Sequence, residues 1–226
     1  DLDVYLLNFD DYRDSLPVTM QSDIEPLRAF LERQQQIEHR LLVKALDSAR
    51  YRRLKKNWRA FLDQPVIERT TLKNARRPVG DVARERIWRI YRRALREGKA
   101  ISAESPAEAL HELRKTCKTL RYLMEFFQSL FPAKKNRVLI KVLKKLQDNL
   151  GDFQDYEVQA GTMKDFSRQM VDEGTVPPET LLAMGRLIES LEKRQRQARR
   201  EFSGTFAGFA GQGNQDRFRK LFSPAE

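Results

Sequence analysis

The sequence predicts an all-α protein, and three observations carry that prediction. Apolar residues recur at three- and four-residue spacing through nearly every segment. No stretch alternates polar and apolar residues long enough to build a sheet. Capping-box patterns stand ahead of two of the periodic runs.

Taken in order, Ser22-Asp-Ile-Glu25 reads as the first capping box, opening a long helix over Asp23–Asp47 with Ile24, Leu27, Leu31, Leu41, Leu42 and Leu46 at helical spacing. Tyr51–Leu62 and Val82–Arg96 read as shorter, arginine-rich helices. Between them, Pro65–Gly80 lacks periodicity, holds Pro65, Pro78 and Gly80, and reads as a connection. Ser105-Pro-Ala-Glu108 is the second capping box, with Pro106 in the favoured first helical position. Arg137–Leu150 places Val138, Val142, Leu146 and Leu150 on one side and Arg137, Lys141 and Lys144 on the other. Helices over Asp152–Val171 and Pro178–Phe202 follow. Gly204–Gln215 is glycine-rich and reads as a flexible loop; no Gly-Lys-Ser/Thr follows it, so it is no nucleotide-binding P-loop. Trp58 and Trp88 are expected in the core.

The chain of 226 residues suits one large domain or two small ones. With 40% hydrophobic residues it has enough apolar surface to fold rather than remain disordered. Lys and Arg outnumber Asp and Glu by 43 to 32, a formal net charge of +11. That excess points to a polyanionic partner, such as nucleic acid, an acidic membrane or polyphosphate, without choosing among them. The one cysteine, Cys117, excludes an internal disulfide and suits a reducing compartment, so a cytoplasmic setting is expected. No signal peptide is visible, and no apolar run approaches the length that crosses a bilayer.

The most informative stretch is Ala109–Phe127. Plotted at about 100° per residue, its two faces separate. His111, Arg114, Lys115, Lys118 and Tyr122 fall on one, with Arg121 at its edge; Leu110, Leu113, Cys117, Leu120, Met124 and Phe127 fall on the other. No acid lies among Arg114, Lys115, Lys118 and Arg121, so the basic face is expected to repel itself unless an anion sits there. His111, Arg114, Lys115, Lys118, Arg121 and Tyr122 are therefore the leading candidates for an anion-binding wall. Lys141 and Lys144 come next, then Arg50, Arg52, Arg53, Arg89 and Arg93. The hydroxyls of Tyr51 and Tyr122 are further candidate donors.

Catalysis is not expected, because His111 has no visible Ser, Cys or Asp partner and Cys117 lies on the opposite face. Asp148, Asp152 and Asp155 read as helix caps and partners for Arg or Lys. Glu108-x-x-His111 has di-iron spacing, but the other histidine, His39, follows Gln36 instead of a glutamate, so no metal is expected. No other cofactor is expected. Membrane binding is not expected, since the helix over Ala109–Phe127 needs its apolar face for a core. Nucleic acid is the rival partner, although no zinc finger or RNA-recognition motif is present.

A weak internal repeat runs through the chain. Asp1-Leu-Asp-Val4 matches Asp155-Tyr-Glu-Val158, Leu31-Glu-Arg-Gln34 resembles Leu191-Glu-Lys-Arg194, and Arg50-Tyr-Arg-Arg-Leu54 matches Arg217-Phe-Arg-Lys-Leu221. The order is kept and the offset grows from 154 through 160 to 167 residues. The helix that carries His111 starts at Ser105, about 50 residues before Asp155, so a matching histidine-bearing helix is expected upstream of Asp1.

His111-Glu-Leu-Arg-Lys115, with Lys118, Leu120, Arg121, Tyr122, Glu125 and Phe127, resembles the second-half motif of the CHAD family, the histidine α-helical domains. Leu146-Gln-Asp-Asn-Leu-Gly-Asp-Phe-Gln-Asp155 resembles the segment that follows it, while Asp1–Val4 and Ala49–Arg53 resemble parts of the first half. The resemblance implies two antiparallel helical bundles related by pseudo-twofold symmetry, with a basic groove between them. It implies one domain over 1–226: first-half helices over 1–64, a connection over 65–80 and second-half helices over 81–226. The family's described role, binding inorganic polyphosphate, often beside a triphosphate-processing domain, implies a binding module with possible association with polyphosphate granules. The alternatives are a nucleic-acid-binding helical protein and an accessory domain of a triphosphate- or polyphosphate-processing enzyme. Polyphosphate offers charge but no bases to read, so many simultaneous contacts on preorganised helices are required. Affinity should fall steeply with salt and rise as pH falls through the histidine range.

Overall fold

Every regular element among the described residues of the computed structural model is helical; the model describes residues 2–65, 72, 74–174 and 176–224. In chain order these are α1 (Leu2–Leu7), α2 (Phe9–Asp14), α3 (Glu25–Leu46), α4 (Ala49–Leu62), α5 (Val79–Ala100), α6 (Ala107–Phe126), α7 (Ala133–Asp172), α8 (Pro178–Ala210) and α9 (Gln212–Phe222). Short 3-10 turns at Val18–Met20 and Gln128–Leu130 complete the regular structure. Among the described residues, no helix is long and apolar enough to cross a membrane.

The chain forms two compact units. The first combines Asp1–Thr70 with Ala160–Ser190, and the second combines Thr71–Gln159 with Leu191–Glu226. Helices α7 and α8 thus each contribute to both. The first unit buries Tyr5, Phe9, Leu27, Phe30 and Leu31 together with Met163, Met170, Met184 and Leu187. Phe166 anchors this core edge-on, 5.6 Å from the Tyr5 ring and 5.5 Å from the Phe30 ring. Thr180 ties α8 to the start of α3 by donating to the Asp23 carbonyl at 2.7 Å.

In the second unit α5, α6, α7, α8 and α9 share one core. Helix α6 supplies Leu110, Leu113, Cys117, Leu120 and Met124, all essentially inaccessible, as the spacing requires. Burying each large apolar side chain is worth about 1.5–3 kcal/mol, so this stripe alone fixes which way α6 faces. Tyr91 of α5 stacks on Phe218 of α9 with ring centres 3.8 Å apart. Gly98 allows α5 to approach α8: a Cβ there would overlap the Phe206 ring.

Several local expectations fail for identifiable reasons. Helix α7 does not break between Leu150 and Asp152, because Leu143, Leu146, Leu150 and Phe153 carry the buried stripe straight through Gly151. A mid-helix glycine costs about 1 kcal/mol, less than that stripe returns. Its buried positions are Leu139, Leu143, Leu146 and Leu150, whereas Val138 is exposed and Val142 only partly covered. The expected glycine-rich loop over Gly204–Gln215 is mostly helix for the same reason: Phe202, Phe206 and Phe209 hold α8 helical as far as Ala210. The chain breaks only at Gly211, where Asn214 and Gln215 donate side-chain hydrogen bonds to the carbonyls of Phe209 and Ala210.

Neither expected capping box forms. The N-caps of α3 and α6 are Ile24 and Pro106, without side-chain capping, and Ser105 Oγ instead accepts from the Ser102 amide. Ser48 provides a side-chain cap, accepting from the Tyr51 amide at the start of α4. Trp88 packs against the second core, but Trp58 is 60% exposed on α4. The expected connection over 65–80 lies partly outside the described residues, and Val79 and Gly80 begin α5.

Candidate functional site

Helix α6 points its apolar stripe into the second core, which leaves His111, Arg114, Lys118 and Arg121 on its outer side at i, i+3, i+7 and i+10. At about 1.5 Å per residue the row runs for about 15 Å. Lys115 and Tyr122 flank it, both well exposed. The Arg121 guanidinium lies over the Tyr122 ring, 5.3 Å from its centre, which orients both side chains.

Helix α7 runs antiparallel alongside. His111 Nδ1–H donates to Gln154 Oε1 at 2.7 Å, the Arg114 guanidinium lies beside Gly151, and Asn136 Nδ2 donates to the Met124 carbonyl at 3.0 Å. These three links fix the register of the pair. In that register Lys144 and Lys141 stand level with Lys118 and Arg121, and both are exposed. The basic row of α6 and these two lysines therefore occupy the same stretch of the α6–α7 hairpin.

The expectation of an acid-free, self-repelling face is corrected. Arg114 Nη2 stands 3.8 Å from Asp155 Oδ1, Lys115 Nζ donates to Glu112 Oε1 at 2.8 Å, and Arg121 Nε lies 3.7 Å from Glu125 Oε1. Lys118 has no carboxylate within ion-pair distance among the described residues. The Glu112 pair is i,i+3 and the Glu125 pair i,i+4, both too local to appear on a plot of cations alone. Exposed pairs of this kind are worth about 0–1 kcal/mol and yield readily to a stronger anion. The hydrogen bond from Lys115 holds the Glu112 carboxyl below the usual carboxylate range, helped by the charges of Lys115, His111 and Arg93.

The pairs on Arg114 and Arg121 are also loose. Both side chains are roughly three-quarters covered, and the buried Nε of each has no hydrogen-bond acceptor among the described residues. A buried donor without an acceptor costs about 1–3 kcal/mol, so neither guanidinium is fully satisfied by its carboxylate partner.

The His111 end of the hairpin has the opposite polarity. Asp148, Asp152 and Asp155 follow one another along α7, and none caps a helix, since all three lie inside it. Asp155 pairs with Arg114, as the Arg/Lys-pairing expectation had it. The Asp152 carboxyl is raised above its ordinary value by burial first, then by the charges of Asp155, Asp148 and Glu201.

The remaining candidates fall elsewhere. Arg89 and Arg93 lie on α5; Arg93 Nε donates to Glu97 Oε1 at 2.6 Å and Arg93 lies within electrostatic reach of Glu112. Arg50, Tyr51, Arg52 and Arg53 belong to α4 in the first unit, where Arg52 donates to the Asp47 carbonyl and Lys55 covers the Tyr51 ring. Gln154, Asp155 and Gly151 were not candidates, yet they set the positions of His111 and Arg114.

No curated protein matches the chain. The model of the CHAD domain family matches residues 1–164, a span that takes in the whole of α6 with its basic row and the α7 residues that orient it. The chain belongs to the CHAD domain family.

Proposed function

We propose that the chain binds inorganic polyphosphate, without turning it over, along the outer row of α6 and the adjoining turns of α7. One observation carries the reading: His111, Arg114, Lys118 and Arg121 stand in a single row, with Lys118 lacking a carboxylate partner among the described residues and the Nε of Arg114 and Arg121 lacking acceptors there. A linear polyanion offers acceptors at short, regular intervals and needs no base-specific contact. Charge-assisted N–H···O⁻ bonds are about twice as strong as neutral ones, so replacing the weak exposed pairs by phosphate contacts is favourable. Lys141 and Lys144 extend the same stretch, while the aspartates at the His111 end disfavour an anion there. The bound chain therefore centres on Lys118 and Arg121.

Calorimetric titration with long-chain polyphosphate tests this, at about 50 mM and about 200 mM salt. Affinity is expected to drop steeply between the two. Arg121→Ala is expected to weaken binding about tenfold and Lys118→Ala about threefold, while Lys193→Ala on α8 leaves it unchanged. A salt-insensitive affinity overturns the reading. So does displacement of polyphosphate by duplex DNA at equal phosphate concentration, which would favour the nucleic-acid alternative.

A further inference from the structure

A cavity of about 800 Å³ lies within the second unit, between the end of α5, the segment that leads into α6, and α8. That volume falls in the range of about 300–1,000 Å³ that small-molecule sites occupy. The lining divides by depth. Leu110, Phe202 and Phe206 are buried and form an apolar floor, whereas Lys99, Arg196 and Arg200 are exposed and stand at the mouth. The cavity meets α6 only at Leu110, on the face opposite the basic row.

Its walls are fixed by the fold. Arg199 of α8 is half-buried and donates through Nη2 to the Ala103 carbonyl at 2.8 Å and to the Ser105 carbonyl, which ties the segment between α5 and α6 to α8. Glu104, the carboxylate of that segment, accepts from Ser102 Oγ at 2.8 Å and does not line the cavity. Phe202 stacks on Phe206 with ring centres 5.6 Å apart, and the Phe206 ring fills the space that a Cβ at Gly98 would take.

The cations at the mouth are weakly engaged. Lys99 and Arg200 have no carboxylate within ion-pair distance among the described residues; Arg200 donates instead to Gln197 Oε1 at 2.6 Å. Arg196 Nη1 stands 3.8 Å from Glu192 Oε2, beyond hydrogen-bond length. No Asp or Glu is among the described lining residues.

We infer that this cavity binds a single-chain anionic amphiphile, a straight alkyl chain ending in a carboxylate. A floor of leucine and phenylalanine side chains disfavours any ligand with hydrogen-bonding groups along its length, because each group would lose water without gaining a partner. A nucleobase or a sugar fails on that ground, and a polyphosphate chain has no apolar surface to place there. An alkyl chain carries no such groups, and every methylene removed from water adds to affinity. The mouth sets the charge of the head: a carboxylate meets Lys99, Arg196 and Arg200 together, while an ammonium is repelled. The site is separate from the outer row of α6 and stands whether or not that row takes polyphosphate.

Calorimetric titration of the 226-residue chain with octanoate, decanoate and dodecanoate, each below its micelle concentration, tests this. Affinity is expected to rise about two- to fourfold per added methylene, the upper figure being that of full burial. Dodecanol is expected to bind about tenfold more weakly than dodecanoate, and dodecyltrimethylammonium more weakly still. Ala207→Trp, at an exposed lining position, should abolish dodecanoate binding with Tm unchanged. Should the tryptophan disturb folding, Arg196→Ala combined with Arg200→Ala reads the same site with the floor untouched. That variant should lower dodecanoate affinity about fivefold without changing that of dodecanol. Affinity indifferent to chain length overturns the inference, as do equal affinities for dodecanol and dodecanoate or a double arginine variant that binds dodecanoate as the parent does. Dodecanoate binding that survives a folded Ala207→Trp belongs to another apolar surface and overturns it as well.

Discussion

Arg114 of α6 reaches across to α7, where its guanidinium passes over Gly151 and its Nη2 stands 3.8 Å from the Asp155 carboxylate. The contact is too long for a hydrogen bond and leaves the buried Nε without an acceptor among the described residues. Asp155 therefore competes with any incoming anion for Arg114 while satisfying it poorly.

Removing that competitor is expected to help binding. Asp155→Asn should tighten polyphosphate binding by about two- to fivefold, the range of a single exposed charge interaction, with little change in Tm. Calorimetric titration of the variant beside the parent protein checks this. An unchanged or weakened affinity would separate Arg114 from the anion site.

Asp152 gives the fold a pH dependence of defined sign. Its carboxyl is raised above the ordinary value of 3.8 by burial and by Asp155, Asp148 and Glu201, so the folded state holds that proton more tightly than the unfolded chain does. Ionisation therefore costs stability, fully so above the raised value and not at all below the ordinary one. Asp152→Asn is expected to raise Tm at pH 7, with the gain fading as pH falls toward the ordinary value. Thermal melts of the two proteins across pH 3 to 8 (roughly the carboxylate titration range and above) measure it.

Gly98 and Phe206 form a steric pair. A methyl group at residue 98 cannot coexist with the Phe206 ring where it stands, so Gly98→Ala should destabilise the second unit by about 1–3 kcal/mol, the usual cost of overpacking. Adding Phe206→Ala should make the double variant more stable than the sum of the two single losses predicts. Denaturant melts of the four proteins of the cycle give the coupling; strict additivity would place the strain elsewhere.

Cys117 reports unfolding. It is fully buried on the core-facing side of α6, and burial pushes its thiol up to about 12. A disulfide reagent at pH 8 should label the native protein no faster than the second unit opens, and should label completely in denaturant. Rapid labelling of the native protein would show α6 seated differently.

Helical class, the burial of one side of α6 and the row of cations on its other side were legible in the sequence. Each depends on residues within a few turns of one another, where spacing alone decides which side chains share a face. The same locality explains the failures. Gly151, Gly204 and Gly208 carry a local signal for a break, but buried rings and leucines on the neighbouring turns outweigh it, and their burial is supplied by other helices. Trp58 is a residue type expected in a core, but a core also needs an opposing surface, which no local pattern reports. The pairing of Arg114 with Asp155 and of His111 with Gln154 joins residues some forty positions apart and follows from the antiparallel register of α6 and α7. Residue types and periodicity determined which elements form and which faces they bury. Tertiary packing decided which cations were neutralised, which kept unused donors and which apolar face was left bare, because charge compensation and burial are properties of neighbours in space.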